Sequence, residues 1–400
     1  MVSIPNRISL LDRFQGILLG SHLAMGNAHQ NAMWLQVILA IAQRLGLTSA
    51  ANVSMLSSPT DASDEVKLTN SWEQGLQALP VVLAHFDQLH DWRCYEVIVA
   101  NVQDVGGDYF ADSGDRQNQL SQDSLTANVM LCGLPYALVP CALATILSSG
   151  LHSRQACQLL IEALDKGLQT EPSPLADGST LLLCHQLLHC VKDAVDSSQG
   201  LDTFLRKVRH VVDQTKASTD PVATDPVAAD PVAADPAQIA ADGVLVAILL
   251  YCLMSTPEDY DVTIRRFQRI LDCQEMSRFE ELQPYLQRSQ PSAIATLGGL
   301  LGAVGGQSSL PLSFVHTHVR TMITASESKE GQTPYRDVPS KIYTELMDLG
   351  MRLWGLWSGI DPSLCRQLNM VDGAAQGSSS EIMANIGVTA SPNLIRVFDR

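Results

Sequence analysis

Positive charge is scarce in this chain. Its 26 lysines and arginines stand against 42 aspartates and glutamates, for a net charge of −16. Nucleic acids and anionic bilayers are held by clustered Lys and Arg, so the charge predicts neither a nucleic-acid nor a membrane partner. The nearest basic group, Arg265, Arg266 and Arg269, reads as the solvated face of an amphipathic helix. Charge of either sign is sparse at 17%, against 46% hydrophobic residues, so much of the chain must be buried. Phe14–Gln43, Ser124–Ser153 and Ser289–Val319 carry no Asp, Glu, Lys or Arg. Polar side chains, prolines or glycines interrupt each of them, which suits helices of a large bundle better than bilayer spans. The purest apolar run, Val244–Met254, falls short of the roughly 20 residues that a span needs. Alternation of β-branched and polar residues is rare, and no run of strands can be drawn. The expected fold class is all-α.

The N-terminal segment has no apolar h-region, so no signal peptide is expected. The nine cysteines are an odd number, scattered singly. Cys141, Cys157, Cys184, Cys252 and Cys273 read as small buried hydrophobes, and a reducing, cytoplasmic compartment fits them.

What the chain does contain is punctuated helix. Asp220–Pro236 reads DPVATDPVAADPVAADP. Proline every fifth residue forbids a helix and pushes each preceding aspartate toward extended geometry. The expected organisation is one all-α domain over 1–371, with a Pro/Asp-repeat insertion at 217–237 and a mobile tail at 372–400. Beyond the repeat, an apolar helix (Gly243–Met254), a Thr-Pro-Glu-Asp loop and an amphipathic helix (Tyr260–Cys273) are expected in turn. A last helix is expected over Ser340–Ser358. Ser289–Pro311 places Gly298, Gly302 and Gly306 four residues apart, close to one helical face. Glycine costs about 1 kcal/mol against alanine inside a helix, so its repetition implies close backbone approach. Arg13–Gly20 has the same character, with Gly16 and Gly20 four apart. The two glycine pairs are expected to pack together.

These segments, with Leu131–Leu138 and Asp242–Met276, resemble in order the ADP-ribosylglycohydrolase family over roughly residues 10–315. The resemblance implies a compact, multi-helix orthogonal bundle and a metal-dependent hydrolase fold. In that family, carboxylates around the first helix and the glycine helix hold two cations. Here Ala24 and Met25 stand at the first set and Ser289 and Pro291 at the second, with Ser292 beside them. Cys132 replaces an arginine. The second acidic cluster has its only counterpart at Thr60–Asp64, where Asp61 lacks an adjacent aspartate. Neutral side chains hold a hard cation poorly, and without the ion no water is activated. The expectation is a pseudoenzyme without cofactor, binding a small ligand or a protein partner. The alternative is an active hydrolase using Mg or Mn, its ligands displaced to residues such as Asp61, Asp64, Asp104 or Asp108. An all-α interaction module outside this family is the third possibility.

Other constellations are weaker. In Cys184-His185-x-x-x-His189-Cys190 the two histidines share a helical face. Each cysteine diverges from its neighbour by about 100°, so all four cannot easily converge on zinc, and a helix with two partly buried histidines is expected. His316 and His318 read as a surface pair, and Asp108–Asp115 as a solvated acidic loop.

Overall fold

The computed structural model describes residues 9–25, 79–84, 153–168, 178–218, 235–311 and 338–358. It also describes single positions at 38, 72, 75, 76, 135, 142, 143, 146 and 147. The described residues are almost wholly helical, with no strand among them, and the class is all-α. The helices are α1 (Leu10–Ala24), α2 (Leu79–Ala84), α3 (Ser153–Leu168), α4 (Gly178–Asp196), α5 (Leu201–Ser218), α6 (Pro236–Ser255), α7 (Tyr260–Leu271), α8 (Gln283–Gly305) and α9 (Val338–Ser358). A 3-10 segment, Gln274–Leu282, joins α7 to α8.

The centre of the bundle is α6. Fifteen consecutive residues, Ala240 to Met254, are buried, and α4, α7 and α8 pack around it. The helix is longer than the apolar run Val244–Met254, because Ile239, Ala240 and Ala241 extend it toward the N-terminus. At 20 residues it is apolar enough to cross a membrane by composition, yet 83% of its apolar stretch is covered by other helices. A helix apolar all round is what the interior of a large bundle requires. Its start is fixed by Asp235, whose carboxylate accepts from the Ala237 amide at 2.9 Å, with Pro236 at the first helical position. There the missing N–H costs nothing. Since α5 runs to Ser218 and α6 begins at Pro236, the expected insertion edges at 217 and 237 fall inside helices. The repeat between them and the tail 372–400 lie outside the described residues.

α1 and α8 pack antiparallel at backbone contact. A Cβ placed on Gly16 would lie 2.5 Å from the Gly302 carbonyl oxygen, and one on Gly302 would meet the Gly16 carbonyl still closer. Gly20 and Gly298 exclude each other's Cβ in the same reciprocal way. The second glycine pair is one helical turn from the first on both helices, so a single seam runs along the contact. Helix α8 closes on Gly306, whose φ of 70° lies in the left-handed region that glycine adopts freely. Its amide donates to the Gly302 carbonyl at 2.8 Å. Helix α9 covers the other side of α1, with Gly350 seated on Gln15.

Candidate functional site

α8 runs past the end of α1, and the degenerate motif positions lie on that overhang. Gly298 faces Gly20 and the Ala24 side chain, so Ser289, Pro291 and Ser292 fall beyond the last turn of α1. Ala24 and Met25 close α1 as buried apolar groups. Pro291 sits inside α8, where it cannot donate to the carbonyl four residues back. Ser292 is buried, and its carbonyl accepts from the Thr296 hydroxyl at 2.8 Å. Asp61 lies outside the described residues, as do Asp64, Asp104, the loop Asp108–Asp115, Cys132, His316 and His318.

Ser289 is fully buried, and its hydroxyl donates to Asp242 Oδ1 at 3.3 Å. The same oxygen accepts from Gln238 Nε2 at 2.8 Å and from Trp72 Nε1 at 3.0 Å. Gln238 Nε2 also reaches Ser289 Oγ at 3.3 Å. Asp242 is 3% exposed. A carboxylate taken so far from water must be compensated by donors, and an indole, an amide and a hydroxyl converge on one of its oxygens. The cluster ties α6, α8 and the Trp72 segment together. Sequence reasoning passed over Asp242 as a site residue. The signal was present, since Asp242 is the single charged residue in Pro236–Ser255. A lone charge in a fully apolar helix has to be paired.

Two further polar groups bind α1 to its surroundings. The Tyr260 hydroxyl donates to the Gly20 carbonyl at 2.7 Å, and burial, with Asp261 second, pushes the phenol pKa up. Arg13 is buried and donates from Nη1 to the Ile146 carbonyl at 3.0 Å. Burial lowers its guanidinium pKa, against the opposing charge of Asp12.

The cysteine–histidine segment lies on α4. Cys184 and Cys190 are core residues. Burial pushes the Cys184 thiol up to about 12 and raises that of Cys190. Protonated thiols are poor metal ligands, and both lie in the core while the imidazoles are partly exposed. His185 and His189 are partly exposed at 32% and 50%. They converge on Asp165 of α3, a residue that no sequence pattern connects with them. Its Oδ1 lies 3.3 Å from His185 Nε2 and 4.0 Å from His189 Nε2. Of the basic residues of α7, Arg265 and Arg269 are exposed as expected, whereas Arg266 is half-buried. Arg265 pairs with Asp261 at 3.3 Å on the surface, while Arg266 stacks over the Tyr251 ring at 5.2 Å.

No family model matches the chain, and no curated protein or solved structure matches it either.

Proposed function

We propose that the chain is a non-catalytic protein of the ADP-ribosylglycohydrolase type, a cytoplasmic regulator or scaffold that acts by binding a small ligand or a protein partner. The observation that carries this reading is the state of Ser289. It occupies a position where the resemblance calls for a cation-binding aspartate, and its hydroxyl is committed to Asp242 in a buried cluster. Mg and Mn prefer shells of oxygen ligands. Ala24, Met25 and Pro291 offer no side-chain oxygen, and the Asp242 oxygen at Ser289 already takes three donors. The glycine seam, which positions the two helices in any such fold, is kept. This combination favours a preserved frame with its chemistry removed.

The test is hydrolysis of ADP-ribosylated arginine and serine peptides by the purified full chain with Mg and Mn supplied. Release of ADP-ribose no faster than with heat-denatured protein is the expected result. Turnover that a chelator abolishes would replace this reading with an active hydrolase using displaced carboxylates.

A further inference from the structure

We propose that Asp165, His185 and His189 form a binding site for a divalent first-row transition-metal ion, with zinc as the reference occupant. The site is independent of the reading above, since it lies on α3 and α4 rather than at the end of α1.

Two imidazoles four residues apart on α4 present their Nε2 atoms on one helical face, and α3 brings a carboxylate against them. The three donor atoms lie within 4.8 Å of one another. A tetrahedral centre with bonds of about 2.05 Å needs ligand–ligand separations of about 3.3 Å. The Asp165–His185 edge already has that length at 3.3 Å, and the Asp165–His189 edge is 4.0 Å. Metal binding would draw the longer edges in by side-chain rotation, the more exposed His189 moving most easily.

The second observation concerns Asp165 itself. Its Oδ1 is sealed from solvent and accepts no hydrogen bond among the described residues, although His185 Nε2 is within ion-pair distance. An orphaned buried carboxylate oxygen is costly. Simple pairing with one histidine would align an N–H on that oxygen, which the geometry does not provide. Instead both Nε2 atoms turn toward the same oxygen, with the rings edge to face at 4.5 Å between centroids.

The donor chemistry selects the class of ion. Two nitrogens and one carboxylate oxygen suit zinc, cobalt or ferrous iron better than magnesium or calcium, which favour oxygen shells. Three protein ligands, with His189 half-exposed, leave a position open to water or to an exogenous anion. That is the arrangement of an accessible metal centre rather than of a closed structural one.

The experiment uses the full chain without a histidine tag, freed of metal and titrated with Co2+. The expected result is stoichiometric, saturable growth of ligand-field absorption, reversed by Zn2+ and unaffected by equimolar Mg2+. Asp165→Asn and His189→Gln should each weaken binding at least about tenfold, the scale on which lost support for a metal is felt. His189 is half-exposed, so its variant keeps the fold, checked by circular dichroism and by the melting temperature of the metal-free protein. His210→Gln, a substitution on the surface of α5, is the control and should bind as the parent does. Absence of saturable binding, affinity unchanged in both site variants, or displacement by equimolar Mg2+ would overturn the assignment.

Discussion

Asp242 is the shared acceptor of the buried polar cluster between α6, α8 and Trp72. Removing its carboxylate leaves the Trp72 indole, the Gln238 amide and the Ser289 hydroxyl short of a shared acceptor in the interior. A buried donor that finds no other acceptor costs about 1–3 kcal/mol. Asp242→Ala is therefore expected to lower stability by several kcal/mol, and Ser289→Ala by only about 1 kcal/mol, since it removes one donor of three. Urea unfolding of the two variants checks the order, and equal losses would contradict it. Tyr260→Phe is a milder case. The Gly20 carbonyl loses the phenol donor at 2.7 Å, which should cost about 1 kcal/mol.

Among the elements, the seam between α1 and α8 sets the tolerance. Gly302 faces the backbone of Gly16, so a methyl group there meets atoms that cannot rotate away. Overpacking in a core costs about 1–3 kcal/mol even where side chains can yield. Gly302→Ala is expected to lose at least that much, seen as a fall in melting temperature. Gly200, by contrast, has open space around it, and its carbonyl accepts from Thr203 and Phe204 at the start of α5. Gly200→Ser should be neutral within about 0.5 kcal/mol. If the two substitutions behave alike, the seam is not the constraint. The start of α6 gives a third case. Asp235 caps the helix and accepts from the Tyr285 hydroxyl at 2.6 Å, so Asp235→Ala should cost about 0.5–2 kcal/mol.

For the whole molecule, the burial of weak acids predicts an alkaline limit. Burial pushes the thiols of Cys157, Cys184 and Cys252 from 9.0 up to about 12. It also raises the Tyr260 phenol above its usual 10.0. Folding favours the protonated form of each group, so their contribution is complete below pH 9 and is lost as pH rises from there toward 12. Each thiol can contribute up to about 1.4 kcal/mol per pH unit in that window. Unfolding free energy should be level from about pH 7 to 8.5 and fall above 9, less steeply in Cys252→Val. A flat profile through about pH 10.5 would show that these thiols are not sealed as the fold places them.

Glycine spacing, helix period and the absence of strand pattern determined the class, the course of α6 to α8 and the meeting of Gly16 and Gly20 with Gly298 and Gly302. These are local properties. A residue without a side chain, repeated every fourth position, has one use in a helix, and it can be read without knowing the partner. The tertiary structure decided the polar chemistry. Asp242 meets Trp72 across 170 residues, and no period connects them. Asp165 meets His185 and His189 because α3 lies beside α4, and the chain between those helices carries no pattern that fixes their relative rotation. A hydrogen bond or a metal cluster depends on distances of a few ångströms between separate elements. Sequence periodicity fixes which face of a helix is buried, and only packing fixes which neighbour that face meets.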